Sequence, residues 1–194
     1  MRRRFLAVLA AALLGGCGVS DAPKFHATDI TGADYAKAFT LTDQHGKSRS
    51  LAEFKGRAVT VFFGYTQCPD VCPTNLTTMA QVVKLLGADG ERLQVLFVTV
   101  DPQRDTQQLL SEYMPAFNPS FIGLRGDAAT TERVMKDFRV FAQKQGDIAG
   151  GNYTVDHTAG TYAYDPQGRL RLYIRHGETP QNIADDLRLL IAGK

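Results

Sequence analysis

What the chain lacks narrows it first. After Arg4 no lysine- or arginine-rich run occurs, so a nucleic-acid footprint has no support and no nucleic-acid partner is expected. The uncharged run near the start, Phe5 to Leu14, falls far short of the ~20 apolar residues a bilayer-spanning helix needs. Neither an internal repeat nor a low-complexity segment is visible, which sets repeat architectures aside. Tryptophan is missing, and cysteine is scarce, at positions 17, 68 and 72 only. What is present suits one compact domain: 44% hydrophobic residues over 194 positions supply one core and too little for two sizeable ones.

The start of the chain reads as an export signal, because Arg2, Arg3 and Arg4 precede the short apolar run and Gly15-Gly16-Cys17 follows it. Leu14-Gly15-Gly16-Cys17 resembles the lipobox of bacterial lipoproteins. That resemblance implies removal of residues 1–16, lipidation of Cys17, a flexible tether over 17–35 and a globular domain over 36–194. An uncleaved anchor with an incidental cysteine is the alternative. Loss of the signal takes Lys plus Arg from 22 to 19 against 20 acids, so the formal charge moves from +2 to −1. The apparent basicity belongs to the signal. The expected location is the bacterial cell envelope, on the periplasmic or outer face of a membrane. There disulfides persist, so a reduced Cys68 and Cys72 pair needs a partner reductant.

Everything else is organised around Val59 to Leu76. Val59 to Phe63 is a β-branched and aromatic run closed by Gly64, the pattern of a strand buried on both faces. Pro69 and Pro73 each follow a cysteine and stiffen the turn between them; Pro73 suits a first helical position. Cys68 and Cys72 therefore stand at a helix start, where free N–H groups and the positive end of the helix dipole favour thiolate. A stapling disulfide is the plainer reading. By loop-closure entropy it would contribute only about 2 kcal/mol across so short a loop.

Leu76, Met79, Val82, Val83 and Leu86 recur at helical spacing, which assigns Met79 to packing rather than to metal. Leu93 to Val100 reads as a second buried strand, so strand, helix and strand form a parallel unit with both cysteines at its carboxyl edge. Phe39 to Thr42 predicts a strand, Ser50 to Phe54 a capped helical turn, and His45 between them a solvated loop residue. Asp101 closes the second strand, and Asp105 or Thr106 can cap a helix running to about Phe117. Phe121 to Leu124 predicts a strand, Ala128 to Lys144 a helix, and Gln145 to Asn152 a flexible loop. Tyr153 to Thr158 leads into Tyr162 to Tyr164, a turn at Asp165 to Gly168 and the strand Arg169 to Ile174, read as an antiparallel hairpin. Pro180 to Ala192 is the last helix. The order predicts an α/β protein with a thioredoxin-like fold, a central mixed sheet flanked by helices.

In such a domain the hairpin lies beside the strand that carries the cysteine turn, so His157 can approach both sulfurs. Two thiolates and an imidazole form a soft donor set that favours Cu(I) and also accepts Cu(II); structural zinc would require a fourth ligand. Gly64 to Pro73, Val100 to Thr106 and Val155 to Thr158 resemble three signature segments of the Sco/SenC family, copper chaperones for cytochrome c oxidase, over about residues 36–192. The resemblance implies copper held by Cys68, Cys72 and His157. It further implies a partner in the copper-bearing subunit of the oxidase, with an upstream copper donor and a thiol reductant. Gln67 departs from the histidine that many members carry there. Asp70, Asp101 and Asp156 are candidates for holding the ligands in place.

Three functions are weighed. A metallochaperone with redox-gated copper release needs all three ligands, whereas a thiol–disulfide oxidoreductase acting on the oxidase copper site needs only Cys68 and Cys72 as a redox-active pair. The missing tryptophan and the three residues between the cysteines set the chain apart from ordinary thioredoxins. A peroxidase would want a lone nucleophilic cysteine, and here both share one turn.

Overall fold

Continuous apolar runs do become the fully covered strands. Every residue of Ala58–Gly64 and of Leu93–Thr99 is buried. The computed structural model describes residues 23–194; the expected signal and Cys17 lie outside them. Within that range come strands Thr28–Asp29 (β1), Thr40–Asp43 (β2), Ser48–Ser50 (β3) and Ala58–Gly64 (β4). Helix Val71–Leu86 (α1), strand Leu93–Thr99 (β5), helix Gln107–Tyr113 (α2) and strand Ile122–Arg125 (β6) follow. The remainder is helix Ala128–Asp137 (α3), strands Ala142–Asp147 (β7), Asn152–His157 (β8), Thr161–Tyr164 (β9) and Leu170–Ile174 (β10), and helix Pro180–Ile191 (α4).

Eight strands form one mixed sheet in the order β1-β10-β9-β4-β5-β6-β2-β3. Its centre is parallel, β4 pairing with β5 and β5 with β6, while β9, β10, β2 and the edges run antiparallel. This is the thioredoxin-like arrangement. Helix α1 turns Cys72, Leu76, Met79, Val82 and Leu86 inward. It packs on α4, which rests on β4. Phe62, Phe63, Phe97 and Phe138 fill the middle at 0 or 1% exposure, each such side chain contributing about 1.5–3 kcal/mol relative to solvent. His45 lies exposed in its turn, and the Ser50 side chain makes no cap bond.

Three stretches differ from the sequence reading. The helix expected to reach Lys144 stops at Asp137, because Arg139 takes φ 55° and closes it. The Val140 N–H donates to Met135 O and the Arg139 N–H to Lys136 O, the two bonds of a Schellman end. Arginine stands where glycine is the usual signal, and its guanidinium lies 4.3 Å from the Tyr35 ring centroid. Phe141, which continues the helical spacing of Val134 and Phe138, is 59% exposed.

Second, half of the expected loop 145–152 is strand, the turn itself shrinking to residues 148–151. β7 pairs antiparallel with β8 from Ala142↔His157 to Asp147↔Asn152, forming a ribbon separate from the main sheet. The hairpin in the main sheet is β9–β10 alone.

Third, the described part of the expected tether, from residue 23, is fastened down. Asp186 on α4 accepts the His26 N–H at 2.9 Å and the Ala27 N–H at 2.8 Å, and β1 pairs with β10 as Thr28↔Tyr173 and Asp29↔Leu172. Phe25, Ala27 and Ile30 pack against the core.

Candidate metal centre

Gly64 ends β4, and the chain turns at once, Cys68 N–H donating to Tyr65 O at 3.2 Å. Helix α1 then opens at Val71, with Asp70 at its cap position. Pro73 occupies the third helical position rather than the first, still within the turn whose N–H groups lack helical acceptors. One of those donors is used by sulfur: the Cys72 N–H points at Cys68 Sγ, 3.4 Å away. Both cysteines are free thiols, Cys72 buried and Cys68 half-buried. Burial pushes the Cys72 thiol well above its ordinary value, against the Tyr65 backbone hydrogen bond and with the help of Cys68 and Asp105. The helix start therefore does not make Cys72 a ready thiolate, since loss of water outweighs the helix end. A cation taking the proton's place would supply the missing compensation.

His157 comes from the last position of β8. Its Nε2 lies 3.4 Å from Cys72 Sγ, and its Nδ1 lies 3.0 Å from Thr158 O. A carbonyl can only accept, so Nδ1 carries the proton and Nε2 offers its lone pair toward the sulfurs. The ring stands edge-on to Phe62 at 6.0 Å and to Tyr65 at 5.9 Å. Burial pulls the imidazole below its ordinary pKa, opposed by the Thr158 carbonyl and by Asp156. It is thus held neutral, as a metal ligand must be.

One atom from each of Cys68, Cys72 and His157 falls within 4.8 Å of the other two. Bonds of about 2.0–2.3 Å to a shared ion would set donor atoms roughly 3.5–4 Å apart, so the group needs under about 1 Å of contraction. Among the described residues no fourth histidine, cysteine or carboxylate joins it. Two sulfurs and a nitrogen with no fourth ligand fit a soft monovalent or borderline cation better than structural zinc.

The three acids named from sequence do different things. Asp70 is exposed and accepts from Thr74 Oγ1 at 3.2 Å; Asp156 is exposed beside His157. Asp101 is fully buried, where Tyr153 OH donates to both its oxygens at 3.0 Å and Arg104 Nε pairs with it. Other contributors carried no signal that the sequence reading used. Asp105 caps nothing, because Thr106 does that for α2. Instead it is buried under the cysteine turn, accepting from Thr66 N–H, Thr66 Oγ1 and Thr99 Oγ1. At Gly64 a Cβ would stand 2.7 Å from Cys72 Sγ. A glycine closing an apolar strand just before a cysteine turn was the available hint. Gln67 turns its carbonyl to Arg104 Nη1 at 3.1 Å.

A thioredoxin-like domain whose cysteine turn is met by a histidine from a separate ribbon defines a class: thiol proteins built to hold a soft metal ion or to exchange electrons. Within that class the chain belongs to the SCO1/SenC family, whose model matches residues 27–192. It is 37% identical over 151 residues to an SCO2-like protein of Rickettsia felis, covering 77% of this chain and 74% of that one. Among solved structures it resembles Bradyrhizobium japonicum ScoI with copper bound at 40% identity and TM-score 0.73, over 79% of this chain and 97% of the other. Yeast Sco1 with copper bound is 29% identical with TM-score 0.74, over 81% and 88%.

Proposed function

We propose that this protein is a membrane-tethered copper chaperone that helps to assemble the binuclear copper centre of cytochrome c oxidase, holding copper on Cys68, Cys72 and His157. The observation that carries the reading is the approach of the His157 imidazole to both sulfurs from a distant part of the chain. Copper in the two similar solved structures and the family resemblance support it. The two thiols and neutral imidazole suit Cu(I), and the imidazole also suits Cu(II). Copper is cargo here. Passing two electrons from the Cys68 and Cys72 thiolates to a partner disulfide, which is reduced to two thiols, would leave a Cys68–Cys72 disulfide, remove both sulfur donors together and release the copper. An upstream donor and a thiol reductant would restore the loaded state. Cys17 supplies the lipid anchor in this reading and holds the domain in the cell envelope.

A second reading rests on the same turn. Half-buried Cys68 is placed to attack a disulfide on the oxidase copper site, forming a mixed disulfide, and buried Cys72 to resolve it. Two electrons and two protons would pass to the partner cysteines while a Cys68–Cys72 disulfide forms.

Copper loading of the soluble domain separates the two. One copper per chain, lost in Cys68→Ser, Cys72→Ser and His157→Ala, supports delivery. Full disulfide-reducing activity in His157→Ala, with no copper bound by the unaltered chain, would replace it with the oxidoreductase.

A further inference from the structure

The ribbon that carries His157 shares no strand pairing with the eight-stranded sheet, so something else must set the distance between imidazole and sulfur. One side chain reaches every part concerned. Arg104, in the turn after β5, lies 86% buried and pairs through Nε with the fully buried Asp101. Its Nη1 donates to Tyr153 O on β8 at 2.7 Å and to Gln67 Oε1, the residue before Cys68, at 3.1 Å. The guanidinium carbon sits 3.6 Å from the Tyr153 ring centroid and 5.6 Å from that of Tyr65. Lys144 on β7 covers Tyr153 at 4.5 Å and lies 3.6 Å from Asp101, so both strands of the ribbon meet that one carboxylate.

We propose that Arg104 is a positioning residue, a strut that locks the histidine ribbon to the cysteine turn and so sets how closely His157 approaches Cys68 and Cys72. The chemistry requires arginine. Only a planar fork can pair with Asp101, Tyr153 O and Gln67 at once; a lysine keeps the charge but has a single nitrogen. The edge-on contact of the Tyr65 ring with the imidazole remains without it. The ribbon then stays attached but its end is free to swing. The metal consequence rests on the copper reading above, whereas the mechanical one does not.

The test uses Arg104→Lys, which leaves Asp101 with a cation, and the double variant Arg104→Met/Asp101→Asn, which removes the buried pair together and leaves the partly exposed Lys144 on Gln103 Oε1. In the metal-free protein, amide exchange over residues 152–157 should quicken roughly ten- to hundredfold in both variants, with exchange in β4 and β5 unchanged. In the Cu(II)-loaded protein the nitrogen coupling in the electron paramagnetic resonance spectrum should weaken while sulfur-to-copper absorption persists, and affinity should fall about 10- to 100-fold. Unchanged ribbon exchange overturns the proposal, as does exchange that rises equally throughout the sheet. So does full retention of nitrogen coupling with a loosened ribbon. If the unaltered chain binds no copper, the copper reading fails, and the strut is judged by ribbon exchange alone.

Discussion

Cys72 Sγ and His157 Nε2 lie 3.4 Å apart although 85 positions separate them in the chain. The same Cys72 offers its N–H to Cys68 Sγ, so one residue links both halves of the candidate centre. Disulfide formation would take away both thiolate donors at once. Copper titration should therefore give one tight site in the reduced protein and affinity lower by at least about a hundredfold in the oxidised protein. Equal affinity in the two forms would remove redox gating from the proposed function.

Gly64→Ala should disturb the centre without touching a ligand. Its Cβ would lie 2.7 Å from Cys72 Sγ and 2.9 Å from ring atoms of Phe62 and Phe97, and in a packed core these cannot all retreat. Urea unfolding should show a loss of about 1–3 kcal/mol. Copper affinity should fall with it as Cys72 is pushed aside. A variant as stable as the parent and equally avid for copper would contradict the packing described.

Asp105 gives a dependence on pH whose sign is fixed. Burial raises its carboxyl pKa in the folded protein, against the Thr66 and Thr99 hydrogen bonds. Between the ordinary carboxylate value and the raised one, the folded state binds more protons than the unfolded state. Its contribution to stability therefore declines as pH rises through that window, and the charge remains a cost above it. Asp105→Asn keeps an acceptor for the threonines but loses the titration. Unfolding measured at pH 4 and pH 7 should show the variant gaining on the parent at the higher pH. Parallel stabilities at both values would rule out this assignment.

Asp186→Ala removes the acceptor of two backbone N–H groups, His26 and Ala27, at one stroke. The expected cost is about 1.5–3 kcal/mol, as for hydrogen bonds to a charged group. Limited proteolysis should then cut near residues 23–30, where the parent resists. Resistance equal to that of the parent would show that β1 pairing alone holds the segment.

The parallel centre of the sheet was legible because β4 and β5 are continuous apolar runs, and α1 because Leu76, Met79, Val82 and Leu86 keep one period. The ribbon was not. Ala142 to Asp147 is half exposed, holds a glycine and two glutamines, and carries no apolar alternation that marks a strand. Helix α3 was overdrawn because Phe138 and Phe141 continue its spacing past the turn that Arg139 makes. The segment from Phe25 to Asp29 looked untethered because its anchor, Asp186, lies about 160 positions away. Cys68 and Cys72 announced themselves locally, whereas His157 needed a topology to bring it near. Asp105, Arg104 and Tyr153 reach the cysteine turn and the ribbon through contacts across 37 to 52 positions, and no local pattern encodes those.

The pairing of β1 has a directional consequence. Since Thr28 faces Tyr173, and Ile174 beyond it faces Thr161 at the Gly64 end of the sheet, the polypeptide joins the domain from the rim where sulfur and imidazole converge. If the lipid anchor proposed above holds the chain from that side, that rim would be kept near the bilayer. Cargo would then change hands close to the membrane surface, where a neighbour embedded in the same lipid could receive it without the carrier first tumbling end over end.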